Sequence, residues 1–492
     1  MHGIQPSAAP SASPVTPNKW TVFAIVAVGV FMATLDSSIV NISLPAIGHS
    51  FGTALSGSVE WVIIAYLVVV AATLLIIGRV ADLIGRKTIW ASGLIVFTLA
   101  SALCGFAPSL LVLVITRAAQ GLGGALIMAI NPALLTSAFS PQERGRALGL
   151  NTLVVALGTS AGPTLGGIIT QHLTWRWIFF INLPLGILGL IATLRVLPSG
   201  PQRAQLRVQQ FDIPGAVLLA IGLGSLTLGL SFGQEWGWAS PQLIATLSLV
   251  ALSLAALLWR ESNLASPILD LSLLQNRVFT SAVVSQILSF LALFAVSFLL
   301  PFYLEQSRGF STQDAGLLLT PFPLALAVVA PFSGRLADRF GSRWLAATGL
   351  AIACLGLVSL ATLGPHSSVP AIIWRLALTG VGQGLFQSPN NSAMLGAAPA
   401  EKRGAASGFL ATGRVVGQSV SVALGGAVFA TLGGAAAGHT LVMLRTHLLP
   451  SSPVPISTLQ HTFTVAFHGA LVVCAALAAL GILTSLTRGQ GQ

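Results

Sequence analysis

Apolar runs long enough to cross a lipid bilayer recur fourteen times along this chain of 492 residues, at 20–44, 59–77, 88–106, 110–131, 148–171, 177–194, 213–232, 241–259, 279–302, 315–333, 344–363, 369–390, 405–432 and 464–486. A helix needs about 20 such residues to span the hydrocarbon core. Lipid offers the backbone no hydrogen-bond partner, which leaves helices and closed barrels as the only spanning elements. Barrel strands are roughly ten residues long and alternate in polarity, whereas these runs are longer and uniformly apolar. Charged residues make up only 7% of the chain, against about 25% in a soluble domain. That is too little ionic surface to coat a soluble fold. The expected fold class is all-α integral membrane, with fourteen transmembrane helices.

The basic residues set the expected topology. With the N-terminus inside, 17 of the 23 lysines and arginines fall in cytoplasmic segments, and only Arg176, Arg308 and Arg445 fall in outer ones. Arg117, Arg375 and Arg414 lie within spans. This bias predicts that both termini are cytoplasmic. It also accounts for the net charge of +11 without a nucleic-acid partner; the surface partner is the bilayer. Residues 1–19, rich in Pro, Ser and Ala, read as a disordered cytoplasmic tail.

Enzymatic classes find little support. Cys104, Cys354 and Cys474 are odd in number, sit in apolar runs and form no C-x-x-C spacing, so neither a disulfide framework nor a metal site is expected. The eight histidines are scattered. No Gly-x-x-x-x-Gly-Lys-Ser/Thr phosphate loop occurs, so direct ATP hydrolysis is not expected, and no cofactor is implied. A membrane enzyme or sensor would need a catalytic constellation or an extramembrane domain. The longest soluble stretch, 433–463, is low in charge and holds no plausible active site.

The chain repeats itself. Gly78-Arg79-Val80-Ala81-Asp82-Leu83-Ile84-Gly85-Arg86 recurs as Gly334-Arg335-Leu336-Ala337-Asp338-Arg339-Phe340-Gly341, with Arg343 beyond. Arg117 recurs as Arg375, and Arg144-Gly145-Arg146-Ala147 as Arg403-Gly404-Ala405-Ala406. The offsets of 256, 258 and 259 residues equal eight spans, so both copies keep one membrane orientation. Parallel halves of this kind are related by an axis along the membrane normal. The expected organisation is a six-helix bundle over 20–197, a linker with two inserted transmembrane helices over 198–276, a second six-helix bundle over 277–486 and a cytoplasmic tail over 487–492.

These residues resemble the fourteen-span drug/proton antiporters of the major facilitator superfamily, over nearly the whole chain. Gly78-x-x-x-Asp82-x-x-Gly85-Arg86-Lys87 resembles the superfamily's signature between spans 2 and 3, and Arg117-x-x-Gln120-Gly121-x-Gly123-Gly124 its span 4 motif. Gly158-x-x-x-Gly162-Pro163-x-x-Gly166-Gly167 is similar to the antiporter motif of span 5. The run from Leu35-Asp36 to Leu44-Pro45, and Trp175-Arg176-Trp177 through Asn182-Leu183-Pro184, are similar to the fourteen-span branch. The resemblance implies two bundles about a central cavity, substrate binding near the midplane and a proton-driven cycle. It further implies a cytoplasmic gate in which Asp82, with Asp338 as its repeat counterpart, pairs with a nearby arginine. Arg86 and Lys87 would set topology in any case.

Within the spans, small residues at Gly158, Gly162 and Gly166 form one stripe that lets helices approach closely, and Pro163 favours a bend. The expectation is that this stripe lies between the halves, although ordinary helix packing accounts for it equally. Asp36 lies eight residues before the expected outer end of span 1, and Arg117 seven residues inside that of span 4. Both side chains then sit roughly 10–12 Å below the outer boundary and can meet, as a proton-coupling pair or as a permanent structural one. Asn41, Gln120, Asn131, Asn390 and Arg414 are candidates to line the cavity, although Asn131 and Asn390 can equally bond across helices. Glu60 and Asp314 each open a span, where a helix dipole favours a carboxylate, and the alternative for Glu60 is a place at the cavity mouth.

The function these features indicate is proton-coupled export of small organic compounds. Asp36 is the one clearly intramembrane carboxylate, which favours neutral or monocationic hydrophobic substrates. An uptake symporter of the same fold is the nearest alternative. Whether a periplasmic adaptor and an outer-membrane channel take part is left open by the sequence.

Overall fold

The computed structural model describes residues 18–53, 57–140, 143–197, 213–237, 239–263, 271–399, 402–446 and 454–488. The tail 1–17 and most of the expected linkers, 198–212 and 264–270, lie outside the described residues. Within them the regular elements are helical: α1 (Lys19–Ser50), α2 (Gly57–Ile84), α3 (Arg86–Gly105), α4 (Leu110–Ala138), α5 (Arg144–His172), α6 (Trp177–Phe180), α7 (Asn182–Val196), α8 (Ile213–Trp236), α9 (Pro241–Asn263), α10 (Arg277–Phe302), α11 (Thr312–Leu319), α12 (Pro321–Phe340), α13 (Ser342–Leu360), α14 (Val369–Gly396), α15 (Arg403–Thr431), α16 (Gly434–Arg445) and α17 (Ile456–Leu486). A 3₁₀ turn spans Leu271–Gln275, and a π turn over Tyr303–Ser307 continues α10.

Thirteen of these helical stretches are long and apolar enough to cross a membrane. A shorter apolar helix, Ser58–Leu74 within α2, lies where the sequence predicts the second span. Spans six and ten are each built from two helices, α6 with α7 and α11 with α12. The second break falls at Pro321, which has no amide hydrogen to carry a helix onward but fits well at a helix start. Local chemistry marks other ends. Asn18, Asn276 and Ser311 accept from backbone amides at the starts of α1, α10 and α11, as N-caps do. Gly85 and Gly341 occupy equivalent places in the repeat, each the single residue between two helices, with φ of +99° and +81°. Only glycine adopts that conformation without strain, so the sharp turn is written into both copies.

The stretch 433–463 corrects the sequence reading. Part of it folds as α16, and α17 begins at Ile456, eight residues before the expected 464. Phe463 is buried with its ring 5.0 Å from that of Phe429, and this apolar contact extends the helix beyond the bilayer-length run.

Helices α1–α7 form one bundle and α10–α17 the other, with α8 laid along α2 of the first and α15 of the second. The Ser50 end of α1 is the end that the charge distribution predicts to face outward, and it is termed the outer end. The glycine stripe of α5 packs on α1 inside the first bundle, not between the halves. A Cβ added at Gly158 or Gly162 would run into Thr34 Oγ1 or Ser38 Oγ, and one at Gly166 would fall 2.5 Å from Ile42 Cγ2. The neighbouring face of α5 meets the other half instead. There the Pro163 carbonyl touches Gly316, and a Cβ on Gly167 would lie 2.5 Å from the Thr312 carbonyl. Thr164 and Thr320 hydroxyls pair at 2.8 Å, and His172 Nε2 meets Gln313 Oε1 at 2.9 Å. Both contacts lie in the outer half of the molecule. At the opposite face Lys19 and Glu143 pair at 2.6 Å, which joins α1 to α5 within one bundle.

Candidate functional site

Asp36 and Arg117 meet inside the first bundle. Arg117 Nη1 donates to Asp36 Oδ2 at 2.7 Å, and their side chains are 1% and 0% exposed. The other carboxylate oxygen, Oδ1, accepts from Gln120 Nε2 at 2.8 Å and from Asn182 Nδ2 at 2.9 Å. Gln120 and Asn182 also converge on Ser101 Oγ, at 3.1 and 3.0 Å, and that hydroxyl donates to the Phe179 carbonyl. Arg117 is held from its own side. Nε donates to the Val62 carbonyl at 2.9 Å, Nη1 also reaches Gln120 Oε1 at 2.7 Å, and the guanidinium stacks 4.5 Å from the Tyr66 ring. The carboxylate therefore draws donors from α4 and α7, while the cation is anchored to α2.

The glycines of α4 make this proximity possible. A Cβ on Gly121 would stand 2.6 Å from the Tyr66 carbonyl, and one on Gly124 would collide with the Tyr66 hydroxyl. With hydrogen there instead, α2 closes on α4 and brings Val62 and Tyr66 against Arg117. A buried ion pair gains over its desolvation cost only when the remaining donors and acceptors are also satisfied. Here both carboxylate oxygens are.

The other expected site residues divide. Gln120 belongs to this network, walled off at 0% exposure, and does not line a cavity. Asn390 is likewise a structural group of the second bundle. Its Nδ2 donates to the Ala282 carbonyl and to Gln286 Oε1, both at 3.1 Å, and its Oδ1 accepts from Arg488. Arg488, expected in a solvated tail, is 1% exposed, and burial pushes its guanidinium down to about 10. Asn41 and Asn131 are buried with Oδ1 atoms that have no hydrogen-bond partner among the described residues. Arg414 on α15 is half-buried, with Nε unpartnered and Tyr66 of the other half within electrostatic reach. Those three remain open to a ligand.

In the loop after α2, Arg86 donates to the Ala133 carbonyl and Lys87 to the Leu194 carbonyl, both at 3.1 Å. Both thus bind carbonyls near the ends of α4 and α7 in their own bundle. The side chains of Asp82 and Asp338 lie outside the described residues, as does that of Arg79. Arg375, the repeat counterpart of Arg117, bonds Thr362 and the Ala371 carbonyl and stacks on Trp374; among the described residues no carboxylate pairs with it. Ser101 gave no signal in the sequence, and Asn182 appeared only inside the longer motif 175–184. Neither could be assigned to Asp36 before α3, α4 and α7 were seen to converge.

Glu60 also departs from expectation. It is 2% exposed, not a solvated helix-start carboxylate. Asp314 does conform, exposed in the first turn of α11 beside its cap Ser311.

Two helical bundles in a membrane, joined across a seam on their outer side and carrying a buried ion pair, form the framework of a transporter. The chain belongs to the Major Facilitator Superfamily, which it matches over residues 26–420 and again over 282–488. It is 37% identical over 413 residues to the riboflavin transporter RibZ of Clostridioides difficile (strain 630), covering 84% of this chain and 88% of that one. To the multidrug resistance protein Stp of Mycobacterium tuberculosis (strain CDC 1551 / Oshkosh) it is 34% identical over 429 residues, with coverage of 87% and 78%. A solved bacterial homologue of the human lysosomal transporter Spinster, inward-facing and unoccupied, shares the fold with a TM-score of 0.67 over 97% of this chain and 98% of that one, at 15% identity. The protein is a multi-pass integral membrane transporter with drug-resistance transporters among its relatives.

Proposed function

We propose that this transporter exports small hydrophobic or monocationic organic compounds across the cytoplasmic membrane in exchange for protons, with both termini in the cytoplasm. The observation that carries the coupling is the Asp36–Arg117 pair, held at 2.7 Å in complete burial. Protonating Asp36 removes the charge that Arg117 faces and weakens the acceptor that Gln120 and Asn182 share. Arg117 is bonded to α2 through Val62, so loss of its partner is felt where α1, α2 and α4 meet. A proton can in this way alter the shape of the bundle and bias the rocking of the halves.

The remaining roles follow from position. Pro163 and Gly167 lie on the seam against α11 and act there as a close-packed pivot. Gly158, Gly162 and Gly166 keep α1, and with it Asp36, in register on α5. Asp82 and Asp338 form the cytoplasmic gate. Substrate contacts fall to Asn41, Asn131 and Arg414, whose free polar atoms leave room for a hydrogen-bonding ligand. The substrate class is supported by the names of the relatives, a multidrug resistance protein and a riboflavin transporter.

The test is export from cells lacking their own exporters, scored against a panel of toxic compounds. Wild-type export collapses with a protonophore. Asp36→Asn loses gradient-driven export while substrate binding to the purified protein persists. Normal export by Asp36→Asn that still collapses with a protonophore would remove Asp36 from the coupling role.

A further inference from the structure

Glu60 lies near the start of α2, where a carboxylate ordinarily reaches water. Three elements bury it instead. Ser231 of α8 donates to Glu60 Oε2 at 2.9 Å. Gly426 of α15 presses so close to Oε1 that any Cβ there would overlap it. α2 itself closes the remaining side. No lysine, arginine or histidine lies within ion-pair distance among the described residues.

The charged groups on the surrounding helices do not compensate. On α4, Arg117 is already bound to Asp36. On α8, Glu235 lies one turn beyond Ser231 and repels a second negative charge. α15 carries Arg414, twelve residues before Gly426, and no charged residue from Val415 to Thr431. On α1 the groups are Asp36, itself paired, His49 near one helix end and Lys19 at the other, where it pairs with Glu143; on α3 they are Arg86 and Lys87, at the opposite face. An unpaired carboxylate out of water is far costlier than the neutral acid, which needs only hydrogen bonds.

The three elements belong to different parts of the molecule: α2 to the first bundle, α15 to the second and α8 to the inserted pair. The carboxyl is buried only while the halves stay together at the outer face, and their separation returns it to water. We propose that Glu60 is a proton latch on the outer seam: a proton taken from the outer medium onto its carboxylate permits α2 and α15 to close, and the same proton returns to that medium when they part. The proton is gained and lost on one side only, so the latch adds control without being the transported ion. Ser231 completes the closed latch, which gives the inserted helix α8 a part in the cycle. The proposal rests on alternating access of the halves, and does not require Asp36 to be the coupling group.

The experiment measures distances between spin labels on the purified full chain in lipid nanodiscs. Labels go on Leu173→Cys and Leu432→Cys, exposed positions at the outer ends of the two halves, with Cys354 replaced by Ala. In the otherwise wild-type chain the open population grows as pH rises from about 5.5 to about 8.5. Glu60→Gln loses one proton's share of that dependence, up to about tenfold in the open-to-closed ratio per pH unit, and favours the closed form. Ser231→Ala, which leaves the carboxyl in place, moves the midpoint to more acid pH because the closed form has lost a hydrogen bond. A Glu60→Gln response as steep as wild type overturns the latch. Should that variant fail to fold, an unmoved midpoint in Ser231→Ala does so. Failure of proton coupling reads separately, as wild-type export that ignores a protonophore.

Discussion

Asp36 accepts hydrogen bonds from three side chains on two helices other than its own, which makes the pair with Arg117 sensitive to removal of either partner. Breaking a buried pair from one side leaves an uncompensated charge and costs about 3–5 kcal/mol. Arg117→Ala is therefore expected to lower the unfolding temperature in detergent sharply. The double variant Asp36→Asn/Arg117→Gln removes both charges and regains part of that stability, without regaining transport. Equal losses in the double variant and in the sum of the singles would show that the two residues do not interact energetically. The meeting of Asp36 and Arg117 was legible in the sequence because depth along a span is a residue count. The shares of Asn182 and Ser101 were not, since depth says nothing about which way a side chain points around the helix.

For the elements, the glycines of α5 separate two jobs that the sequence had merged. Gly162 faces Ser38 of α1 within one bundle, whereas Gly167 faces α11 across the seam. The two faces respond differently to added bulk. Gly162→Leu drives a side chain into α1 and is expected to yield aggregated protein on size-exclusion chromatography. Gly316→Ala puts a methyl group against the Pro163 carbonyl, so the bundles fold separately but cannot close fully on the outer side. It should elute as a homogeneous peak and transport several-fold more slowly, roughly the effect of 1–2 kcal/mol on one conformational state. A homogeneous, active Gly162→Leu would show that α1 and α5 do not pack through this stripe. The stripe was visible as a period of four residues; its partner was not, because small residues favour close approach to any helix.

Across the whole molecule the duplication is conserved in architecture and broken in chemistry. The turns at Gly85 and Gly341 have the same conformation, yet among the described residues Arg375 has no carboxylate such as Arg117 holds, and the position 258 residues after Asp36 is Phe294. Among the described residues the buried ion pair is a feature of the first half. Orientation in the membrane belongs to this scale as well. Reporter fusions after Gln492 and within 198–210 should both read cytoplasmic, as the lysine and arginine bias requires; an external signal after Gln492 would contradict an even number of spans.

The apolar runs, the repeat register and the sharp glycine turns were determined by the sequence alone, because each is a consequence of transferring a stretch of chain into lipid or of a local backbone demand such as the φ of Gly85. The tertiary structure alone decided which polar groups face one another. In helices apolar on nearly every side, hydropathy does not distinguish a face toward lipid from a face toward protein. Thus Glu60, read as a helix-start carboxylate, is sealed between α2, α8 and α15; Gln120, read as a cavity candidate, is bonded inside its bundle, and Asn390 bonds across helices, one of the two roles open to it.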